Sequence, residues 1–556
     1  MGKWLHRPGN YGMLKEKGGM DMKYAKHLAL LLVVAILLTG CNLSKLKDVL
    51  GDISAQAATP FSEMEYVRPD LEKMETAVES CCEAAANAKN ADKLLDRVWE
   101  VYGYYDSFYT QYNLAYIYYC KDMTDAAWEE EYSFCMQNAG SVEALLEEML
   151  YALADSPVKN DLEKNEAFGE GFFDAYAGET LWDETFLALM EEEAALQDEY
   201  YDLCAQTQDV DYYSDAFFEG YGQEMAQVFV ELVALRQEIA DYAGYADYPS
   251  FAYDFYHYRD YTPEQSAAYL EEICRELVPL YYEVEASGGP VGGEKLCKEA
   301  EVYAYVKSCA KNMGSTIYNA FKLMDEAELY DLTYSEKKYD GSFELYLTDY
   351  AVPYVFVNPS ATQWDKLTFV HEFGHFCNDY ATGGIIGGVD VAEVFSQGME
   401  YLSLCYAENG GNLEQIKMVD SLRIFVEQAA YALFEQRVYE LEGDELTAQN
   451  VYALYEEVGT AFGFDAWDWD SRDFVLIGHF YTDPMYIISY VVSNDAAFQL
   501  YQMELEEKGA GLELYEKELT SGETYFLAFL KEAGLESPFA KGRVKEVRKT
   551  LEAVLG

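Results

Sequence analysis

The sequence predicts a mainly α-helical protein with one small β element set beside a helix. Three observations lead there. Long segments between Phe61 and about Glu285 carry apolar residues at three- and four-residue spacing, Met225 to Tyr242 among them, which is the repeat of a helix that buries one face. Strand character is confined to Ser342–Tyr346 and Tyr350–Val357, two β-branched and aromatic runs separated by Leu347, Thr348 and Asp349. Directly after that hairpin comes His371-Glu372-Phe373-Gly374-His375, whose two histidines share a face when the segment is helical.

The chain opens on an apolar run, Leu28 to Thr39, preceded by Lys23 and Lys26 and followed by Gly40 and Cys41. The run is too short to span a bilayer and has the basic flank and small-residue exit of a secretory signal. A buried core helix is the competing reading, but it fits poorly with an N-terminal run that has no polar face. Leu38-Thr39-Gly40-Cys41 also resembles the bacterial lipobox, in which the cysteine is lipidated and becomes the first mature residue. Residues 1–40 are therefore expected to be a lipoprotein signal, with Met22 or Met20 as the start, and residues 41–60 a tether. The expected location is the bacterial cell surface, outside the cytoplasm, with the membrane reached through a lipid on Cys41.

Residues 61–286 follow as an N-terminal helical region. Turns are expected at Ala139-Gly140, Asp155-Ser156-Pro157 and Tyr261-Thr262-Pro263, the last with Thr262 as N-cap and Pro263 in the first helical position. Ser287 to Gly293, SGGPVGG, is the strongest internal break and sets off residues 294–556 as the region that holds the metal site.

Composition bounds the partners. There are 100 acidic against 39 basic side chains, a net charge of −61, and the expected leader is itself basic. Such a field repels nucleic acid and anionic head groups, which excludes both as binding partners. A hydrophobic content of 50 % with 51 tyrosines argues for a packed core rather than disorder. Acidic runs such as Glu129–Glu131 and Glu191–Glu193 are expected to be solvated helix faces. The ten cysteines after Cys41 show no metal-type spacing and read as buried thiols; export would permit disulfides, and the sequence assigns no pairs.

The chemistry centres on His371 to His375. Two histidines four apart can offer neutral imidazoles to one zinc ion per chain, and Glu372, about 100° around the helix, falls beside the metal, where it can activate water. A chance match on an amphipathic helix is the competing reading, and histidine usage weakens it: the chain has six, two of them in the expected leader. The helix breaks at Thr382 to Gly388 and resumes as VDVAEVFSQGMEYLSL, where Glu393, Ser396, Gln397 and Glu400 share one face. That stripe is either solvent-facing or functional. In the functional reading Glu393 is the third ligand, and Gln397, Glu400 and Asp379, four residues after His375, orient the ligands.

Two further segments invite a substrate role. The strand carrying Tyr350, Val352, Tyr354 and Phe356 could pair by an open edge with an extended peptide, or be an ordinary hairpin arm. In HFYTDPMYIISY, His479, Tyr486 and Tyr490 are candidate donors to the oxyanion of peptide hydrolysis, Tyr486 and Tyr490 lying on one helix face; packing is the alternative for any tyrosine in so tyrosine-rich a chain. His257 has no metal-type partner in sequence and reads as structural.

HEFGH followed by AEVFSQGMEYL resembles the thimet oligopeptidase and oligoendopeptidase F group of zinc metallopeptidases, in which the first glutamate of E-x-x-S-x-x-x-E completes the metal site. The likeness continues through Y-x-V-P-Y-V-F-x-N ending at Asn358 and through His479 to Tyr490. It extends to LRQEIADYAGYADYPSF and DYTPEQ upstream and GLESPFAKG downstream, covering about Phe217 to the C-terminus. The resemblance implies a large helical body with a deep substrate channel and the small sheet beside the HExxH helix. It also implies Glu393 as zinc ligand, transition-state hydrogen bonds from His479, Tyr486 and Tyr490, and hydrolysis of internal bonds in short unstructured peptides. Two features depart from the group: members are more often cytosolic, whereas this chain carries a lipobox, and the GGIIGG loop is compact. An HExxH-type carboxypeptidase is the alternative enzyme, and it needs a cation for the peptide carboxylate. A non-catalytic surface lipoprotein that binds peptide or zinc is the other, and it has no need of Glu372.

Overall fold

The computed structural model of the protein describes residues 58–165, 167–176, 184–207, 214–288, 295–339, 341–384, 388–408, 412–466 and 469–555. Cys41 and the expected leader lie outside them. The fold is mainly helical with a single three-stranded sheet among the described residues.

Helices Leu71–Ala86 (α1), Ala91–Lys121 (α2) and Ala126–Ala154 (α3) start where Asp70, Asn90 and Asp125 accept hydrogen bonds from first-turn amides. They pack on one another around two small cores, one holding Val78, Val98 and Leu150, the other Phe108, Cys135 and Val142. α3 runs unbroken through Ala139-Gly140, where the sequence suggests a turn. Ala139 and Val142 are fully buried there, and their packing outweighs the roughly 1 kcal/mol that a helical glycine costs.

Glu184–Gln206 (α4), Gln223–Tyr242 (α5) and Pro263–Ala286 (α6) follow. α6 begins as expected: Thr262 Oγ1 accepts from the Gln265 amide at 3.4 Å, and Gln265 Oε1 accepts from the Thr262 amide at 2.9 Å, a capping box. It ends at Ala286, just ahead of the glycine-rich break. That break, between the regions 61–286 and 294–556 read from sequence, does not divide the packing. Leu277 and Tyr281 of α6 belong to the same core as Phe425, Val491 and Val547, and the segment with cores of its own is α1–α3.

The sheet has the order Tyr330–Asp331 (β1), Val352–Val357 (β3), Ser342–Leu347 (β2), with β1 parallel and β2 antiparallel to β3. The central position of β3 corrects the substrate-strand assignment. Both its edges are paired and all six of its residues are buried; Tyr354 packs on Phe61 at 4.3 Å and Phe356 stacks on Phe343 at 4.8 Å. Tyr350 lies ahead of the strand in a 3-10 turn and takes a 3.3 Å hydrogen bond from the Glu65 amide. An unbroken apolar run is the mark of a strand covered on both faces, and β1 is too short to announce itself in sequence. Among the described residues the edge strands are β1 and β2, and β2 is the one long enough to offer a run of free backbone groups. Its far end is met by α2, where Asn113 donates to the Tyr346 carbonyl at 3.0 Å.

The remaining principal helices are Trp364–Thr382 (α7), Val389–Tyr406 (α8), Leu413–Arg423 (α9), Ala429–Val438 (α10), Ile488–Glu506 (α11) and Arg543–Leu555 (α12). α11 buries residues around its whole circumference, Ser489, Val492, Asn494, Asp495 and Phe498 among them, so it is the central helix of the body. It packs along α8, which packs along α7, and β2 and β3 cover another side of α7. No described helix is long and apolar enough to cross a membrane.

Candidate metal centre and active site

α7 presents His371 and His375 from one face, their ring centroids 5.0 Å apart. Gly374 lets α8 come close: a Cβ there would lie 2.6 Å from the Phe395 carbonyl oxygen and 2.7 Å from Ser396 Cα. The approach delivers Glu393, whose Oε2 stands 3.5 Å from His371 Nε2 and 4.0 Å from His375 Nε2. Ligand atoms sharing one tetrahedral zinc at about 2 Å sit roughly 3.4 Å from one another. Two imidazoles and a carboxylate at this spacing fit such an ion, and among the described residues this trio is the group able to hold one.

The surroundings prepare the ligands. His371 Nδ1–H donates to Glu400 Oε1 at 2.9 Å, which leaves Nε2 facing Glu393. Burial disfavours charge on His371, but the Glu400 hydrogen bond and the charges of Glu393 and Glu372 outweigh it and lift its pKa to about 9; the same negative field attracts a divalent cation. Burial lowers His375 to about 4, so its imidazole is neutral at neutral pH. Ser396 Oγ donates to Glu393 Oε2 at 2.8 Å. Glu400 Oε2 is held in turn by the buried Lys417 ammonium at 2.9 Å.

Glu372 is buried beside the trio and outside it. Ser342 of β2 donates to its Oε1 at 2.7 Å, and burial pushes its pKa up to about 6 against the opposing pull of His371 and Ser342.

Two expected orienting residues are placed differently. Asp379 faces Glu344 of β2, not an imidazole: β2 runs along that side of α7, and burial lifts both carboxyls, Asp379 to about 7 and Glu344 well above the ordinary range. Burial and the like charge opposite disfavour ionising both carboxyls at once, so the pair shares a proton. Gln397 is buried on the ligand face of α8, with Oε1 meeting no donor among the described residues, and it makes no hydrogen bond to His371, His375 or Glu393.

His479, Tyr486 and Tyr490 come together as one cluster. His479 Nε2 and Tyr490 Oη are 3.3 Å apart, and the Tyr486 ring lies 5.8 Å from His479 and 5.2 Å from Tyr490. The segment that carries them bends at Met485, a non-glycine residue at φ 64°. Both peptide groups of Met485 are claimed by buried ionisable side chains: Glu435 of α10 accepts from its amide at 2.7 Å, and Arg259 donates to its carbonyl at 2.8 Å. Arg259 also reaches Ser489 Oγ at 2.8 Å and Asp390 Oδ2 at 3.3 Å, and Asp390 lies one turn ahead of Glu393 on α8. Arg236 of α5, paired with Glu193 of α4 at 2.7 Å, holds the carbonyls of Phe480 and Tyr481. His257, read from sequence as structural, bonds the Pro484 carbonyl at 2.9 Å, and burial keeps it neutral.

Ser342, Glu344 and Lys417 touch residues of the α7 and α8 cluster, and Arg259 and Glu435 hold the Met485 segment, none having drawn attention as a site residue in the sequence. A signal existed for two of them. Lys417 interrupts the apolar positions Ile416, Met418 and Val419, and Arg259 directly precedes the DYTPEQ segment.

Residues 315–549 match the model of peptidase family M3, and residues 61–179 match the peptidase M3 N-terminal domain. Among solved structures, one assigned as an oligoendopeptidase F aligns with a TM-score of 0.74 at 22 % identity, over 90 % of this chain and 99 % of its own. PZ peptidase A with an inhibitor aligns at 0.72 and 21 %, over 89 % and 99 %. A structure from Bacillus anthracis assigned as an oligoendopeptidase F aligns at 0.71 and 21 %, over 90 % and 98 %. At these identities the structural matches establish the fold. No curated protein gives a significant sequence match. Fold and site together define a helical metallopeptidase. The family follows from the two matched regions, which cover more than half of the sequence: the chain belongs to peptidase family M3.

Proposed function

We propose that the protein is a zinc-dependent oligoendopeptidase that hydrolyses internal bonds of short, unstructured peptides. The observation that carries this reading is the convergence of His371, His375 and Glu393 with Glu372 held alongside. A zinc ion on the trio would polarise the scissile carbonyl and acidify the attacking water. Ser342 fixes Glu372 by Oε1, so Oε2 is the oxygen that takes the water's proton and passes it to the leaving amine. His479, Tyr486 and Tyr490 supply donors for the oxyanion, on a segment that Arg259, Arg236 and Glu435 hold rigid. The peptide adds as a strand to the free edge of β2 near Ser342, which is the strand already touching Glu372. Pairing of this kind needs an extended chain, so folded proteins are excluded.

Attachment to the bacterial cell surface through a lipid on Cys41 is part of the same proposal. The apolar run ending in Leu38-Thr39-Gly40-Cys41 supports it, and the substrates would then be extracytoplasmic peptides.

Metal analysis of the purified protein, with mass spectrometry of a digested peptide mixture, tests the reading. One zinc per chain and internal cleavage of peptides of roughly 5 to 20 residues are expected, the lower figure being the length of a short strand. Release of single C-terminal residues would favour a carboxypeptidase, and zinc binding without turnover a binding protein. Cys41→Ser should abolish lipidation, and wild-type protein found in the cytosol with its leader intact would overturn the location.

A further inference from the structure

The ion pair behind His371 extends one residue beyond the carboxylate. Lys417, on α9, is buried to 1 % side-chain exposure, and its Nζ lies 2.9 Å from Glu400 Oε2 and 3.2 Å from Asp420 Oδ2, over the Tyr401 ring at 5.0 Å. Glu400 uses its other oxygen, Oε1, to accept from His371 Nδ1–H at 2.9 Å. A single carboxylate is therefore clamped from both ends, by a fixed cation and by a metal-site imidazole. Burying an ammonium is costly unless it is paired, and its partners here are Glu400 and Asp420. Among the described residues, Glu400 makes ion pairs with His371 and Lys417.

We propose that Lys417 is a positioning residue of the metal centre, which locks Glu400 in the rotamer that fixes the ring plane and tautomer of His371. The inference rests on the reading of His371, His375 and Glu393 as a zinc site. A free Glu400 side chain could turn Oε1 away from Nδ1, and His371 would then lose the partner that keeps its proton on Nδ1 and its Nε2 lone pair toward the metal. Lys417 touches no ligand and acts only through Glu400.

The test is zinc affinity of the full-length mature protein, measured by competition with a chromophoric chelator, for wild type, Lys417→Gln, Lys417→Arg and Glu400→Gln, and for the double variant of Lys417→Gln with Glu400→Gln. Lys417→Gln should weaken zinc binding about 10- to 100-fold, the range for lost partners of ligating histidines, and Lys417→Arg should recover most of it. In the Glu400→Gln background, Lys417→Gln should change the affinity by less than about twofold, because the group it acts through is gone. A Lys417→Gln affinity within twofold of wild type would overturn the proposal. So would a loss undiminished in the Glu400→Gln background, which is what a general packing defect produces. Should Lys417→Gln fail to fold, Lys417→Arg decides: it keeps the charge, and an affinity as weak as that of Glu400→Gln would overturn the proposal. Wild-type protein that binds no zinc would refute the metal site itself and is a distinct outcome.

Discussion

Gly374→Ala tests the geometry of the centre without altering any ligand. The added Cβ would stand 2.6 Å from the Phe395 carbonyl oxygen, 2.7 Å from Ser396 Cα and 3.0 Å from Met399 Cβ, and two of those three are backbone atoms with no rotamer to yield. Relief to an ordinary contact of 3.4 Å requires α7 and α8 to part by about 0.8 Å. The displaced backbone includes Ser396, whose hydroxyl holds Glu393, so the third ligand moves with it. Its Oε2 is already 3.5 and 4.0 Å from the two histidine nitrogens, and parting the helices carries it beyond the separation that one ion can bridge. Overpacking of this kind costs about 1–3 kcal/mol of stability. Zinc affinity should fall about 10- to 100-fold, and kcat/KM at saturating zinc about 100-fold, the penalty for a displacement near 1 Å at a reacting centre. Gly103→Ala is the control. Gly103 lies in α2 with nothing within 4 Å of its built Cβ, so the change should leave zinc untouched and stabilise the helix by up to about 1 kcal/mol. Chelator competition and peptide-hydrolysis rates on both variants decide the matter. Gly374→Ala with zinc affinity and turnover both within twofold of wild type would refute the argument that this close approach builds the site.

Glu372→Gln should keep stoichiometric zinc and lose turnover by at least about 100-fold, since an amide takes no proton from water; near-normal hydrolysis would remove Glu372 as the base. Arg259→Lys keeps the buried charge and loses the planar fork that reaches Asp390, Met485 and Ser489 together, so kcat should drop about tenfold or more while zinc affinity holds. An unchanged kcat would mean that the His479–Tyr490 segment keeps its place without that strut. Glu143, buried in α3 with Tyr105 and Tyr109 donating to its Oε1, is pushed by burial up to about 7 from 4.5, so the native state holds its proton more tightly than the unfolded chain does. Its contribution to stability is thus complete below pH 4.5 and is lost as the pH rises through 7, by on the order of 3 kcal/mol. Glu143→Gln should remove that decline, and urea midpoints of the two proteins that keep a constant difference between pH 5 and pH 8 would contradict the assignment.

The candidate metal-site cluster was legible because a helix converts spacing into direction. His371 and His375 at i and i+4, and Glu393, Ser396 and Glu400 at i, i+3 and i+7, land on faces the sequence defines by itself, and the structure brings all of them together. Spacing names a face and leaves open what packs against it. Asp379 lies on a predictable side of α7, yet its partner is set by β2, earlier in the chain and in no periodic relation, and so it meets Glu344. The strand Val352–Val357 was visible as a strand, but its central position depended on the two-residue β1, whose pairing leaves no pattern. Likewise the break at Ser287–Gly293 interrupts the chain without dividing the core, because α6 docks on α12 from across it. Lys417 and Arg259 escaped notice for the same reason: each is defined by acceptors distant in sequence.

In a chain with 100 acidic and 39 basic side chains, the placement of three of the buried cations is informative. Arg236, Arg259 and Lys417 are each almost fully buried, and each joins a carboxylate to a second acceptor. A charge so placed destabilises unless its geometry is satisfied, so the three act as fixed points from which mobile carboxylates and carbonyls take their positions. They serve two separate clusters. Lys417 serves the imidazole side through Glu400, whereas Arg236 and Arg259 serve the histidine–tyrosine side through the carbonyls of Phe480, Tyr481 and Met485. Among the described residues no hydrogen bond joins Lys417 or Glu400 to Arg236 or Arg259, so the two clusters should fail independently. The double variant of Lys417→Gln with Arg259→Lys should then show the sum of a zinc-affinity defect and a turnover defect, each the size found alone. A turnover defect in Arg259→Lys that disappears once Lys417 is already changed would mean that the two sides form one network, and that the division drawn from their hydrogen bonds is wrong.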